Sequence, residues 1–528
     1  MKFDLLQTIK NKIPKHLLIC FGSSIILGWI VHFYALTNKL TNWDDLNCIT
    51  NFGQGDNLGR WMLKYIHPLG GIYSVPAVHG FLFIFFMSLS ACLIMELLHL
   101  KSMTSAILIP AVMLTFPSAV STMSFGFMSH TSAMAICMVC LGVYLLFRYK
   151  YGFIPCSILL LCATGTYQSY ICFGITLILL GLLTELLRGE KDFAQTVKKG
   201  ILCVAVLGIT VLVYIKLCHV IYPAMVDETY GGFGQMGQIE ISQIPKLVGR
   251  CYKRFLEFFL WKPFAFVTKT AQRTNIISFC LAIVLFIYVL IRKKFYKNIL
   301  DLLLAIVFFG FLPLGAAFIY LMAPDAPFSM LMLYAYALVY VFVLALLEYA
   351  VKEWESMDFS KVWKRAAAWI CIFITIGTVF ISSYCDYLLT NRAYFRVDVS
   401  MRRVTSYFNR IIAFAEDTEG FKAGDKLTIL GNFYYKDNPS SVELEAFDQE
   451  PLRTLDGIAL ENGLITAGSR DNFVYYYCGY DLADLSTGEK DEIMHTEEYK
   501  KMPVYPEQGS VQKIGDVWVV KLCNETQD

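Results

Sequence analysis

Two acidic residues stand side by side in a chain that carries few charges. Asp44 and Asp45 lie in the sequence NWDDLN, residues 42–47, directly after the first long apolar run. A carboxylate beside a second carboxylate has a raised pKa, so one aspartate can take a proton from a substrate hydroxyl. The other can orient the substrate, or the pair can bind a divalent cation such as Mg²⁺ or Mn²⁺. The alternative is that both residues cap a helix or face solvent.

Basic residues that suit a phosphate group occur in two places. Arg60, in Gly59-Arg60-Trp61, follows the acidic pair in the same hydrophilic segment, and a guanidinium binds phosphate through two parallel hydrogen bonds. Arg250, Lys253 and Arg254 lie together farther along the chain. These three either hold a phosphate or form the solvated face of a helix.

A third candidate set contains aromatic and amide side chains that can hydrogen-bond a polar substrate. Tyr167 and Gln168 lie in the sequence GTYQSY at residues 165–170, and Trp43 precedes the acidic pair. We assign all three to substrate binding. For Tyr167 and Gln168 the alternative is that they satisfy the backbone of a buried turn.

The composition indicates which elements must position these residues. The chain has 528 residues, of which 56% are hydrophobic and 17% charged, and its mean hydropathy is +0.52. Soluble domains usually contain about 25% charged residues. Most of this chain is therefore predicted to lie in a lipid bilayer, as an α-helical polytopic membrane protein.

Apolar segments near the length of a bilayer crossing predict about eleven transmembrane helices. The predicted spans are Leu17–Leu36, Val75–Leu98, Met103–Thr122, Thr131–Phe147, Phe153–Gly165, Ser169–Leu187, Gly200–Tyr222, Ile276–Ile291, Ile299–Met322, Met330–Ala350 and Ala366–Leu389. The stretch from Phe153 to Leu187 has basic residues at both ends, so it must cross twice and turn near residues 165–168. A turn at that depth has to be buried in protein.

Charge is distributed unevenly along the chain. Residues 391–528 contain 15 Lys and Arg against 24 Asp and Glu, whereas residues 1–390 contain 30 against 19. Because the basic part is the hydrophobic part, the pattern indicates membrane topology and argues against nucleic-acid binding. Basic loops and eleven crossings predict a cytoplasmic N-terminus and an extracytoplasmic tail.

We therefore divide the chain into a transmembrane domain, 1–390, and a soluble extracytoplasmic α/β domain, 391–528. The two long outer loops are predicted at 37–74 and 223–275. The second contains an amphipathic helix that begins near Pro245, and we expect this helix to lie in the outer membrane–water interface.

Several short elements are predicted in the tail. Arg402–Phe414 and Asp491–Lys501 are predicted helices, Lys426–Leu430 and Phe473–Tyr477 predicted strands, and Val511–Leu522 a terminal hairpin. The run Tyr475-Tyr476-Tyr477 either builds the predicted strand or offers stacking faces to a glycan.

The sequence gives little support for a metal site or a nucleotide-binding site. No Cys/His cluster has zinc spacing, the histidines at 67, 79 and 130 are not spaced as metal ligands, and no nucleotide-binding glycine motif occurs. The sixteen cysteines lie mostly in apolar runs and are expected to be free thiols.

The motifs Trp-Asp-Asp after the first helix, Gly-Arg-Trp some fifteen residues later and GTYQSY resemble the bacterial serotype-converting (type II) glucosyltransferase family. That family belongs to the polytopic GT-C glycosyltransferases, which use lipid-phosphate sugars. The tail sequence MPVYP at 502–506 resembles the end of the same family.

The resemblance implies transfer of a sugar, typically glucose in this family, from a polyprenyl-phosphate carrier such as undecaprenyl phosphate to a cell-surface glycan. That glycan would be an O-antigen or a cell-wall polymer outside the plasma membrane. Asp44 or Asp45 would be the base and Arg60 would bind the phosphate. A flippase and a polyprenyl-phosphate glucose synthase would be companion proteins.

Three other functions remain compatible with the sequence. They are a transporter or flippase of a lipid-linked saccharide, a surface glycan polymerase or ligase, and a receptor that binds its ligand through the tail.

Overall fold

The computed structural model describes residues 12–50, 58–221, 240–261, 268–324, 329–355, 362–431, 455–458 and 464–524. Parts of the two segments predicted as outer loops, 37–74 and 223–275, therefore lie outside the described residues. The longer helices are Lys15–Thr37, Pro76–Leu97, Met103–Thr115, Pro117–Ser124, Ser129–Arg148, Phe153–Thr164, Tyr170–Arg188, Phe193–Lys216, Ile244–Leu260, Lys269–Arg292, Ile299–Ala316, Ala337–Glu355 and Val362–Glu416. Short helical segments are Trp43–Asn47, Leu63–Ile66, His67–Gly70, Gly126–Met128, Leu217–Ile221, Ile241–Gln243, Phe295–Lys297, Ile319–Met322 and Met330–Tyr336.

The helices confirm a polytopic helical membrane protein. Within the described ranges, nine helices are long and apolar enough to cross a membrane, and a bent pair brings the number to ten. Phe153–Thr164 has 12 residues and spans about 18 Å, short of the roughly 30 Å hydrocarbon core. Each of the eleven predicted spans thus has a helical counterpart, and the turn after the short helix is buried, as expected, with Thr166 0% and Tyr167 7% exposed.

The bent pair forms because Pro117 interrupts the helix. Met103–Thr115 and Pro117–Ser124 meet at an angle of 50°, with Phe116 between them. Proline has no backbone N–H and starts a helix readily at its first position, so the second helix takes a new direction. We call Pro117–Ser124 the bent segment. It leads into the turn Gly126–Met128, which lies beneath the candidate site.

One helix joins the membrane region to the tail. Val362–Glu416 has 55 residues and would extend about 80 Å. It includes both the predicted last span and the helix predicted at Arg402–Phe414. The division at residue 390 falls inside this helix, and the two-domain organisation remains a prediction.

The tail contains a small mixed sheet. Leu427–Leu430 pairs in parallel with Val517–Lys521, which pairs antiparallel with Val511–Ile514. The hairpin turn has Gly515 at φ +60°, a conformation that suits glycine. The predicted strand at 426–430 and the terminal hairpin are confirmed.

Two other tail predictions need correction. Phe473–Tyr477 is not a strand: Arg470–Phe473 is helical and continues into a wide helical turn, Val474–Cys478. The helix predicted at 491–501 is instead two, Thr487–His495 and Glu497–Lys501. The break occurs because the Thr496 side chain caps the second helix by accepting from the N–H of Tyr499.

The amphipathic helix predicted within residues 223–275 is confirmed as Ile244–Leu260. Leu247, Cys251, Phe255, Phe258 and Phe259 are buried on one face. That face packs on the spans Lys269–Arg292 and Ile299–Ala316. Its position in the membrane interface remains a prediction.

Candidate active site

A short helix, Trp43–Asn47, carries the acidic pair and is fixed at its N-terminus. The buried side chain of Asn42 accepts hydrogen bonds from the backbone N–H groups of Asp44 and Asp45, at 3.1 and 3.0 Å. Its amide donates to the Ser124 carbonyl, at 3.0 Å, in the bent segment. Successive helical residues point about 100° apart. The two carboxylates therefore lie in different surroundings.

Asp45 is fully buried and its two carboxylate oxygens are both occupied. Oδ1 accepts from the Ser74 hydroxyl at 3.0 Å and from the Phe127 N–H at 2.8 Å. Oδ2 accepts from the Lys39 ammonium, which also donates to Ser74 at 2.7 Å. These contacts tie the start and end of the loop at residues 37–74 to the turn after the bent segment.

Asp44, in contrast to Asp45, has an accessible carboxylate. Its side chain is exposed, and no described residue donates a hydrogen bond to its carboxylate. Partial desolvation by the surrounding protein raises its pKa, the positive charge of Arg60 opposes this rise, and the charge of Asp45 adds to it. Asp44 is thus an accessible carboxylate with an increased affinity for a proton.

Arg60 lies near Asp44 and keeps an unused hydrogen-bond donor. Its guanidinium carbon is 4.8 Å from the centre of the Tyr167 ring, so the cation stacks on an aromatic face. Its Nε is buried and has no hydrogen-bond partner among the described residues. A buried donor without an acceptor is costly, and an anionic ligand would supply one.

The turn at 165–170 packs directly on the segment that carries Arg60. The Met62 N–H donates to the Gly165 carbonyl at 2.9 Å. A Cβ at Gly165 would come within 2.5 Å of the Trp61 ring, so only glycine allows this approach. Two motifs a hundred residues apart in the sequence thus form one unit.

Gln168 fixes the backbone that precedes Arg60. Its amide donates to the Leu58 carbonyl and to the Tyr214 hydroxyl, the latter at 2.9 Å. Tyr214 in turn donates to the Gly59 carbonyl at 3.1 Å. Tyr214 is not among the predicted site residues, because a tyrosine inside an apolar span gives no local sign of a distant partner.

Trp43 lies on the inner side of the acidic helix. Its ring meets Phe125 edge to face at 6.1 Å and packs in a cluster with Cys48 and Phe127. Its predicted contact with substrate stays a prediction.

Three histidines that are dispersed in the sequence come together below Asp45. The ring centres of His67, His79 and His130 are 4.3 to 5.9 Å apart, and all three residues are buried. His67 and His79 hydrogen-bond to the carbonyls of Phe127 and Gly126, at 3.0 and 2.9 Å. Burial, followed by the charge of His79, lowers the pKa of His67 to about 4.

The histidines therefore support the turn whose N–H binds Asp45. Sequence analysis gave them no shared role, because residues so far apart meet only after the helices pack. In the described part of the chain, no group of three or more His, Cys, Asp or Glu residues could hold a metal ion.

The basic residues of Ile244–Leu260 make other contacts. Arg250 donates to the Pro324 carbonyl, Arg254 lies 3.1 Å from Glu257, and Lys253 lies 3.9 Å from the same carboxylate. These contacts hold the three cations to their own helix and to the Pro324 segment, rather than to Asp44 or Arg60. Phosphate binding by this helix remains a prediction.

A tail segment, 455–458, reaches the cap of the acidic helix. The Ser124 hydroxyl donates to the Asp456 carbonyl at 2.7 Å, and the Asp456 carboxylate accepts from Ser329 at 2.8 Å. Gly457 has φ +73°, and a Cβ there would lie 2.2 Å from Ser124 Oγ and 2.8 Å from the Asn42 amide nitrogen. The sequence signal was the turn-forming pair Asp456-Gly457, but nothing local indicates its partner.

Comparison with known proteins places the chain in a family. No curated protein and no solved structure matches it. A family model described as glucosyl transferase GtrII matches residues 33–346, a stretch that includes the acidic helix, Arg60 and the 165–170 turn. Because the match covers more than half of the 528 residues, the chain belongs to the GtrII glucosyl transferase family.

Proposed function

We propose that this membrane glucosyltransferase moves glucose from a polyprenyl-phosphate carrier to a cell-surface glycan at the outer face of the plasma membrane. In this arrangement the N-terminus is cytoplasmic, the tail is extracytoplasmic and the enzyme works in the GT-C manner. The observation that carries the proposal is the proximity of Asp44 to Arg60. Among the described residues, none donates a hydrogen bond to the exposed Asp44 carboxylate and none accepts one from the buried Nε of Arg60.

Besides the lipid-linked donor and the acceptor hydroxyl, the reaction needs two protein groups, the Asp44 carboxylate and the Arg60 guanidinium. An acceptor hydroxyl attacks C1 of the glucose and forms the new C–O bond while its proton passes to Asp44. The bond between C1 and the phosphate oxygen breaks, and polyprenyl phosphate leaves with the electron pair. Arg60 binds the charge that develops on the leaving group. An in-line displacement of this kind inverts the anomeric centre.

The neighbouring residues would position the two reacting groups. Asp45, whose oxygens are occupied by Lys39, Ser74 and the Phe127 N–H, anchors the acidic helix instead of acting as the base. Tyr167 supports the guanidinium of Arg60. A divalent cation, if one is used, would take Asp44 as its ligand, and no step above is routed through it.

The test is transfer of radiolabel from polyprenyl-phosphate glucose to glycan in isolated membranes. Removing a general base typically costs about 10² to 10⁴ in rate, so Asp44→Asn should lose nearly all transfer. Asp484→Asn, which removes an exposed tail carboxylate, is the matched control and should behave like the wild type.

Two results would overturn the proposal. Full transfer by Asp44→Asn, inserted in the membrane at normal levels, would exclude Asp44 as the base. Failure of the wild type to move any label, with glucose transferred instead from a nucleotide sugar, would exclude the lipid-linked donor.

A further inference from the structure

The tail presents a pair of exposed tyrosines beside the acidic helix. Tyr475 and Tyr476 are 54% and 39% exposed, in a part of the tail where most large apolar side chains are buried. Their rings meet edge to face, with centres 5.1 Å apart. Both lie in the wide helical turn Val474–Cys478, and such π-type turns occur often at functional sites.

The turn is held in place from its inner side. Phe473 and Tyr477 stack at 4.9 Å, and Phe473 is fully buried. A stack at this distance requires helical spacing, because residues four apart in a strand would be about 13 Å apart. The helical turn therefore directs Phe473 and Tyr477 inward and leaves Tyr475 and Tyr476 in solvent.

Side-chain pairs connect this turn to the first outer loop. The Asn472 amide donates to the Asn47 side-chain oxygen, and the hydroxyls of Tyr476 and Thr50 hydrogen-bond, both at 2.9 Å. The tyrosine pair is thus fixed relative to the acidic helix.

The contacts also define which side of the acidic helix the tyrosines border. Asp44 and Asn47 are three residues apart in a helix, so their side chains share one face. Both are exposed, whereas Asp45 and Leu46 are buried. The turn that bonds to Asn47 therefore borders the face from which the Asp44 carboxylate projects.

We propose that Tyr475 and Tyr476 form a subsite for the acceptor saccharide. This inference rests on the proposed function, because it assigns the second substrate to a place beside the base. Aromatic faces pack against the C–H faces of sugar rings, phenol hydroxyls bond to sugar hydroxyls, and tyrosine loses little conformational entropy on binding. A neutral, rigid surface at the aqueous end of the bundle suits an extended glycan.

Tyr475 is the residue to change, because among the described residues its ring contacts only that of Tyr476. Tyr475→Ala removes the stacking face and Tyr475→Phe keeps it. Tyr149→Ala removes a tyrosine of similar exposure, 59%, that follows the far end of Ser129–Arg148 and serves as the matched control. The acceptor probe is polysaccharide released by mild acid from the envelopes of cells that produce the protein.

Initial rates of label transfer are measured against the concentrations of acceptor and donor separately. Tyr475→Ala should raise the acceptor KM about tenfold, equivalent to about 1.4 kcal/mol, and leave kcat and the donor KM within about twofold. Tyr475→Phe, which loses only the hydroxyl, should raise the acceptor KM less than Tyr475→Ala does, and Tyr149→Ala should match the wild type.

Binding of the same polysaccharide to purified protein, measured by calorimetry without donor, separates this inference from the proposed function. Weaker binding by Tyr475→Ala supports the subsite even if the assumed donor proves wrong. Unchanged acceptor KM and unchanged binding overturn it. A lower kcat or poorer membrane insertion with normal acceptor binding also overturns it, and would indicate a structural role or an aromatic contact with lipid headgroups.

Discussion

Replacing Lys39 by Met tests whether the Lys39–Asp45 pair holds the loop at residues 37–74 together. The Asp45 side chain is fully buried, while that of Lys39 is 24% exposed. Loss of one partner of a buried ion pair costs about 3 to 5 kcal/mol, because the other charge stays buried without compensation. Since Lys39 keeps partial contact with water, we expect Lys39→Met to lower the free energy of unfolding by about 3 kcal/mol.

The measurement is reversible unfolding of purified protein in mixed micelles, followed by tryptophan fluorescence. The double variant Lys39→Met/Asp45→Asn should recover about half of the loss, because a neutral amide oxygen still accepts from Ser74 and the Phe127 N–H without a counter-ion. Lys500→Met is the control, since it breaks an exposed pair with Glu497 and should cost below about 1 kcal/mol.

Two results would refute this reasoning. One is a loss for Lys39→Met no larger than that for Lys500→Met. The other is a double variant as unstable as Lys39→Met alone, which would show that the uncompensated charge of Asp45 is not the cause.

Two further predictions concern the tail contact and the base. Gly457→Ala should lower stability by about 1 to 3 kcal/mol, since its φ is +73° and its Cβ would collide with Ser124. Gly468→Ala, where a Cβ has open space, should be neutral in the same unfolding assay. Equal losses of stability in the two variants would show that the close contact of Gly457 with Ser124 is not the cause. Transfer should fall on the acid side as pH drops through the raised pKa of Asp44, above the ordinary aspartate value of about 3.9. Because Arg60 opposes that rise in pKa, the acid limb of kcat/KM should move to higher pH in Arg60→Met, and a shift to lower pH would contradict the assignment.

Much of the membrane region could be predicted because its physics is local. A bilayer crossing needs a run of apolar residues of fixed length, and each predicted span corresponds to a helix in the structure. The amphipathic helix at 244–260 and the terminal hairpin were predictable for the same reason, since periodicity and a Gly-Asp turn are visible in a few residues. The family was also recognisable from short motifs.

The wrong strand at 473–477 shows where local signals fail. Consecutive aromatic residues favour strands because their side chains pack well on a pleated surface. Here Phe473 and Tyr477 instead stack on each other, and the Tyr476 hydroxyl hydrogen-bonds to Thr50, more than four hundred residues away. Tertiary contacts therefore decided the backbone conformation against the intrinsic preference.

The sequence by itself determined that this chain crosses a membrane many times and carries an acidic pair and an arginine in the hydrophilic segment after its first span. Only the tertiary structure distinguished the two carboxylates, because Asp45 is buried and paired with Lys39, whereas Asp44 remains accessible beside Arg60. It likewise brought Gly457 of the tail against the cap of the acidic helix. The physical reason is that burial and hydrogen-bond partners depend on segments that meet only when the helices pack, whereas bilayer crossing depends on each segment alone.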